Sequence, residues 1–460
     1  MGCDFLTESD GPDAIALAPL RKAALGDWLG RQPEPVRRWV SDTRFTAEPG
    51  SACLLGGGDG GLKRVLVGIG DEDEIWDWAA LPAKLPEAVF RVDASLSPES
   101  ADNAALGWAL ATYRFGRYRK QAGSFPTLAW PDGCDRAGVE RAVAAMFLVR
   151  DLINTPAADM GPEELAAAAG TVAERHGARF AVIVGDELQV RNFPAVHAVG
   201  RASSRLPRLI DFRWGDEGNP RVTLVGKGVC FDSGGLDIKP ASGMKLMKKD
   251  MAGAATMLGL AQMVMSANLP VRLRLLIPAV ENSISGNALR PLDVVRTRKG
   301  LTVEIGNTDA EGRVILADAL AEAASEQPAL LVDCATLTGA ARVALGTELP
   351  ALFTNDDGLA EALLAHGAAA GDPLWRLPLW KPYRRHLVSK VADLTNAPDI
   401  AFAGAITAAL FLAEFAKPAK PWVHIDIMAW NTDSRPGRPE GGEAMAMRAL
   451  YELIRERFGS

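Results

Sequence analysis

Four carboxylates crowd one stretch of this chain, and any fold it adopts must provide counter-charge for them. Asp232 and Asp250 lie in the block VGKGVCFDSGGLDIKPASGMKLMKKDMAG (residues 225–253), and Asp309 and Glu311 in NTDAEGR (residues 307–313). Lys227, Lys239 and Arg313 stand among them, with glycines at positions 226, 228, 234, 235, 306 and 312. Glycine permits tight turns and close approach of other groups, which suits a crowded site. Bare carboxylates ~4 Å apart repel by ~4 kcal/mol per pair at an effective dielectric of about 20. Taken singly, each Asp reads as a surface acid paired with a nearby lysine. Taken together, beside glycines and at the ends of apolar runs, the four read as a ligand set. Two divalent cations cancel four carboxylates, and paired metals roughly 3.5–4 Å apart are a known hydrolytic arrangement. Oxygen ligands suit Mg, Mn or Zn and do not choose among them. Residues 222–225 read as a buried strand, and a helical pattern starts near Asp250. The acids therefore fall where open α/β sheets gather ligands, at strand carboxyl ends.

These blocks carry a family resemblance. VGKGVCFDSGG, the IKP at 238–240, SGM, KDM and NTDAEGR resemble the leucyl (cytosol) aminopeptidase family of dinuclear metallopeptidases, for which NTDAEGR is close to a signature. The similarity runs from about Leu152, in LINTPAADMGPEEL, to the C-terminus, roughly two thirds of the chain; the N-terminal third carries no comparable motif. The resemblance implies that Lys227, Asp232, Asp250 and Glu311 surround a tighter metal. It implies that Asp232, Asp309 (side chain and carbonyl) and Glu311 surround a more exchangeable one, with Asp232 and Glu311 bridging. Two ions per subunit follow, with Mn or Zn expected. Lys239 is implied to face the substrate carbonyl, and Arg313 to hold a bicarbonate ion as the base. Met247, Thr336 and Gly339 are implied to line the pocket for the first side chain. The implied reaction is hydrolysis of the N-terminal residue from peptides with a free N-terminus, through a hydroxide bridging both metals and with the substrate amine on the exchangeable ion. A homohexamer, a dimer of trimers, is implied as well.

Elementary chemistry gives these roles content. An ammonium has no lone pair, so a lysine binds metal only if its pKa falls from ~10.4, and two dications with partial burial push it that way. The GKG at Lys227 lacks the spacing and following hydroxyl of a phosphate-binding loop. A protonated Lys239 suits charge that develops in a tetrahedral transition state. The guanidinium fork of Arg313 suits a planar oxyanion, and neither block offers a histidine or spare glutamate as general base. Met428-Ala429-Trp430 departs from the smaller residues of many relatives and leaves side-chain preference open. Lys245 stands where an acid is common, and Lys248 and Lys249 flank Asp250; these lysines read as facing solvent.

The remaining sequence bounds the setting. At 460 residues the chain exceeds one small core, and 48% hydrophobic with 23% charged residues is ordinary for a globular protein. A net charge of −7 gives no reason to expect nucleic acid. Five scattered cysteines without a CxxC pair point to neither a disulfide framework nor a zinc ribbon. Asp4, Glu8, Asp10 and Asp13 near the start do not resemble a secretory signal. MGCDFL has Leu6 where a myristoylation site wants Ser or Thr. No apolar run reaches the ~18 residues that span a bilayer, and cytoplasm is the default. The histidines at 176, 197, 366, 386 and 424 show no paired ligand spacing and read as structural or surface residues.

The expected fold is α/β: a small N-terminal α/β domain (1–135), a linking helix (136–153), and a larger C-terminal α/β/α catalytic domain (154–460) with a mixed, mainly parallel central sheet. Expected strands are 181–184, 208–212, 222–225, 272–277, 330–333 and 423–427. Expected helices are 101–118, 162–176, 252–266, 314–324 and 441–458. Residues 53–55 and 64–67 read as a hairpin about the glycine loop at 56–61. Rival readings are a two-metal phosphoryl hydrolase, and a non-catalytic or moonlighting assembly or nucleic-acid-binding scaffold. The lysine ligand and NTDAEGR argue against the first, and the full set of ligand positions against lost catalysis.

Overall fold

The computed structural model describes residues 3–8, 11, 13–57, 60–119 and 123–459. Asp10, the Met1 and Gly2 of MGCDFL, and Gly58 and Asp59 of the glycine loop lie outside them. The chain divides into two units, residues 1–147 with 433–440, and residues 148–432 with 441–460. The helix Arg136–Asn154 runs through this division, and the short excursion 433–440 groups with the smaller unit instead of the 154–460 span read from sequence.

The smaller unit holds strands β1 (Leu6–Thr7), β2 (Ile15–Leu20), β3 (Ala52–Gly56), β4 (Leu62–Gly68), β5 (Val89–Val92) and β6 (Thr127–Ala129). They form one sheet in the order β1-β6-β5-β2-β4-β3, parallel except for the β3–β4 hairpin. The helix expected at 101–118 is instead Pro98–Ala111. It starts earlier because Ser97 accepts a bond from Ser100 N (3.1 Å) with Pro98 at the first helical position. It ends at Ala111 because the Thr112 hydroxyl and N–H both turn back to the Ala109 carbonyl.

The larger unit contributes β7 (Arg179–Val184), β8 (Arg208–Trp214), β9 (Arg221–Gly226), β10 (Gly228–Asp232), β11 (Arg272–Asn282), β12 (Val294–Arg296), β13 (Thr302–Glu304), β14 (Leu330–Ala335), β15 (Ala351–Thr354), β16 (Trp375–Arg376), β17 (Leu394–Thr395) and β18 (Trp422–Asp426). Nine of them form the main sheet, ordered β16-β15-β18-β14-β9-β11-β8-β7, with β10 also on β11. Its centre, β18-β14-β9-β11, is parallel, and β15, β8 and β7 add antiparallel pairings toward the edges. Val222, Thr223, Leu224 and Val225 are all buried, the continuous apolar run of a strand covered on both faces. Helices Pro162–Arg175, Ala252–Ser266 and Met447–Phe458 pack on one side, and Pro194–Gly200, Glu311–Ser325 and Gly404–Ala416 on the other. The expected mixed, mainly parallel α/β/α sheet is thus present. Ala252–Ser266 is buried almost all round, as a helix apolar on every side must be. The helix expected at 441–458 begins only at Met447, since Ala446 is left-handed (φ 61°) and Gly441 and Gly442 form a bridge with Trp430 and Asn431. No described helix is long and apolar enough to cross a membrane.

Candidate active site

The parallel strands end in step, and that register builds the site. Gly226 of β9 pairs with Cys334 of β14, and Ala335 of β14 with Asp426 of β18, so Lys227, Thr336 and Ile427 leave the sheet side by side. The first half of β11 pairs with β9 and the second half with β10. Lys227 sits at the break between those two strands, and Asp232 at the far end of β10. Asp250 lies in the 3-10 turn Met247–Met251 just before helix Ala252–Ser266. Glu311 opens helix Glu311–Ser325, where the positive end of the helix favours an acid. Two glycines are needed at their positions. Gly234 takes φ +88° with the Asp237 carbonyl 2.5 Å from where a Cβ would stand, and a Cβ on Gly312 would lie 2.5 Å from Lys227 Cε.

The five predicted ligand residues come together. Lys227 Nζ lies 2.8 Å from Asp250 Oδ2 and 2.9 Å from Glu311 Oε1, and donates to the Thr336 carbonyl at 3.0 Å. Lys239 Nζ lies 2.8 Å from Asp232 Oδ2 and also pairs with Asp309 Oδ1. Oxygens of Asp232, Asp309 and Glu311 lie within 4.8 Å of one another. Asp232 Oδ1 accepts from Gly234 N (2.9 Å) and Asn282 Nδ2 (2.8 Å), and Asp250 Oδ1 from the Thr336 hydroxyl (2.6 Å). Asp250 Oδ2, Asp309 Oδ1 and Glu311 Oε1 are enclosed and accept no aligned hydrogen bond, though each lies against a lysine ammonium. Carboxylates buried this close together are costly without further positive charge. Four carboxylates against two lysines leave an excess of negative charge, and carboxylate oxygens gathered this closely fit hard divalent cations.

Burial pushes the Glu311 carboxyl up to about 8, with the Asp232 charge adding to it and Lys227 opposing. Burial and then Asp232 raise Asp309 to about 6. Burial alone lowers Lys227, but Asp250, Glu311 and Asp232 outweigh it and hold the ammonium above its ordinary range. Lys239 follows the same logic through Asp232 and Asp309. Burial lowers Arg313 to about 10. Its Nη1 donates to the Asn396 carbonyl at 2.6 Å, while its enclosed Nε has no partner.

A cavity of about 300 Å³ reaches part of this cluster. Lys227, Asp232, Lys239, Asp250 and Asp309 line it together with Met247, Thr336, Gly339 and Met428. The predicted pocket residues therefore share a cavity with the acids, although the Thr336 hydroxyl is already committed to Asp250. Trp430 is not in its walls; the Lys248 ammonium lies 5.4 Å from that ring's centre and donates to Asn154 O at 2.6 Å. The reading of Lys248 and Lys249 as solvent-facing is corrected here. Lys248 is half-buried, and Lys249 is 5% exposed, lines the cavity, and is lowered by burial to about 8.

Two residues of the site escaped the sequence reading. Asn396, 1% exposed, accepts from Gly306 N and Asn307 N, donates to the Asn307 and Ala310 carbonyls, and gives its own carbonyl to Arg313. It thereby ties the NTDAEGR turn and Arg313 together. Asp426 accepts from Leu337 N, Thr338 N and the Thr338 hydroxyl, which fixes the cavity wall around Thr336 and Gly339. The only sequence signal for either was an acid at a strand end and an Asn before a proline turn.

The profile of the Cytosol aminopeptidase family, catalytic domain, matches residues 147–451, and that of the M17 aminopeptidase, N-terminal domain, residues 15–131. The chain belongs to the cytosol aminopeptidase family, and is a metalloexopeptidase of the leucyl aminopeptidase type. A probable cytosol aminopeptidase of Geobacter sulfurreducens is 40% identical, with 79% of this chain and 76% of that protein covered. Peptidase B of Pectobacterium carotovorum is 40% identical over 76% of this chain and 84% of that protein. Among solved structures, the cytosol aminopeptidase of Coxiella burnetii superposes with a TM-score of 0.95 at 50% identity, covering 99% of this chain and all of that one. The bottromycin maturation enzyme BotP in complex with Mn gives 0.86 at 36% identity, covering 96% and 99%.

Proposed function

We propose that this aminopeptidase removes the first residue of peptides with two divalent cations, Mn or Zn, held by Lys227, Asp232, Asp250, Asp309 and Glu311. The observation that carries this reading is the gathering of four carboxylates against two ammoniums, with oxygens of Asp232, Asp309 and Glu311 within 4.8 Å of one another and Asp232, Asp250 and Asp309 lining one cavity. When bound, the cations supply Lewis acidity and an acidified water, and a bicarbonate supplies a base. Lys227 joins the ligand set only by losing the proton that Asp250 and Glu311 now hold on it. Lys239 keeps its proton and, once its carboxylate partners face cations, presents the ammonium to the developing oxyanion. Arg313 is the residue that would hold bicarbonate, since Asn396 engages only Nη1 and its Nε is enclosed without a partner. Met247, Thr336 and Gly339 receive the first side chain. A homohexamer in the cytoplasm belongs to the same reading and rests on family membership, and the Mn complex of BotP makes Mn the first ion to supply.

The test is hydrolysis of an unblocked amino-acid anilide by the metal-loaded chain, beside its N-acetylated analogue. The free amine is expected to be required. Equal rates on both would remove the amine–metal contact from the account.

The metal-free cluster also has a pH signature. Glu311 and Asp309 bind their protons more tightly folded than unfolded, so the stability they add is complete below the ordinary carboxylate range. It fades as pH rises through about 6 and then about 8. Lys227 and Lys239 are raised as well, but their contribution is full below the ordinary lysine range and constant across this window. Chelated protein should therefore lose a few degrees of Tm between about pH 5 and 8, and added Mn should restore them at the upper end. A chelated Tm that rises across that window contradicts the reading.

A further inference from the structure

We infer that a second cavity, at the start of β18, is a binding site for a small monocarboxylate with an apolar body, an arylalkanoic acid in chemical class. This cavity of about 260 Å³ lies in the larger unit. Trp422 opens β18 and lines it, whereas Asp426 ends that strand beside the acid cluster, and the two cavities share no lining residue. Leu379, Leu410, Ala413, Ala416 and Ala419 line it with Trp422. The polar groups among these walls are already paired. Trp422 Nε1 donates to Asp333 Oδ2 at 2.7 Å, Asn355 Nδ2 donates to the Ala419 carbonyl at 3.1 Å, and Asn355 Oδ1 accepts from Trp422 N at 2.9 Å. Hydrocarbon is left to face the hollow, which gives water little to bond to and favours an apolar occupant. An apolar cavity of ~150 Å³ accepts a benzene ring, so this one has room for a ring with a short arm. Its exposed cations fix the other end of the ligand. Lys381, Arg384 and Lys417 stand there against one acid, Glu414. Both Glu414 oxygens are taken, Oε1 by Arg384 Nε at 2.6 Å and Oε2 by Lys417 Nζ at 3.1 Å. The Lys381 ammonium makes no hydrogen bond or ion pair with any described residue, and the two Nη groups of Arg384 make no hydrogen bond. Lys381 and Arg384 are three apart in the 3-10 turn Lys381–Leu387, a spacing that puts them on one side. A carboxylate therefore meets free, charged donors, with a forked guanidinium edge among them. An ammonium meets no free acid, so amino acids and peptide amines, which the active site handles, are poorly matched here.

The experiment is calorimetric titration of the full-length, Mn-loaded chain with 3-phenylpropionate and with its uncharged counterpart, 3-phenylpropan-1-ol. The acid should bind saturably with a Kd below about 1 mM. The alcohol should bind about tenfold more weakly or worse, the effect of losing one charge-assisted contact. Ala413→Phe, which fills the hollow from its helix wall, should weaken the acid at least about tenfold, with leucyl-anilide hydrolysis kept within a few-fold of wild type. No binding of the acid at millimolar concentration overturns the inference, as does equal affinity for the alcohol. Acid binding that survives Ala413→Phe overturns it too, since the ligand then sits elsewhere, on the active-site cations for example. Each of these results leaves the aminopeptidase reading intact. Should Ala413→Phe fail to fold, the double variant Lys381→Met, Arg384→Met decides: loss of the preference for acid over alcohol supports the inference, and a preference retained refutes it.

Discussion

Asp250→Ala should fold and yet hold fewer cations per chain than wild type, with turnover down by about three orders of magnitude. Asp250 is buried, with one oxygen fixed by the Thr336 hydroxyl and the other facing Lys227. Truncation removes a ligand and leaves Lys227 with Glu311 and the Thr336 carbonyl, enough to keep that ammonium from being stranded. The fold also loses one of its mutually repelling acids, which offsets part of the lost pairing. Several kcal/mol of transition-state stabilisation go with the metal, which sets the size of the rate effect. Elemental analysis and a peptide-cleavage assay on the same preparation check it. Full metal occupancy in the variant contradicts the ligand assignment.

Lys239→Ala should behave in the opposite way toward metal. In the cation-free chain Lys239 neutralises Asp232 and Asp309, so removing it leaves more negative charge and should keep or tighten metal binding. The loss falls on the chemical step, about 10²–10³ in kcat for one oxyanion-stabilising donor. Arg313→Ala should likewise lower turnover with metal content near normal, because its contacts run to Asn396 and not to the acids. A Lys239→Ala protein with unchanged kcat, or with metal lost, means that the residue is only a clamp on the two aspartates.

Much of this site was legible because charge repulsion is a local and severe constraint. Four acids beside glycines at strand ends have few other solutions, and the structure gathers Lys227, Asp232, Asp250, Asp309 and Glu311 as the motifs implied. The parallel core strands and the helix at 252–266 were legible through continuous apolar runs. The short strand Gly228–Asp232 was not, because glycines and an acid surround its VCF and its pairing comes from the second half of β11. Asn396 could not be found from periodicity: its six hydrogen bonds all go to residues more than eighty positions away. Lys249 misled for a related reason. A Lys-Lys pair reads as a solvated face, and only the turn geometry, with Lys248 over Trp430 and Lys249 in the cavity, separates the two.

The central claim is that this acid cluster is tolerable because doubly charged ions occupy it. The most direct measurement is metal stoichiometry of the purified chain after supply of Mn or Zn and removal of loose ions, read beside cleavage of short peptides. The account expects two ions per chain and release of N-terminal residues. Fewer than two ions with either metal, and short peptides left intact, would contradict it.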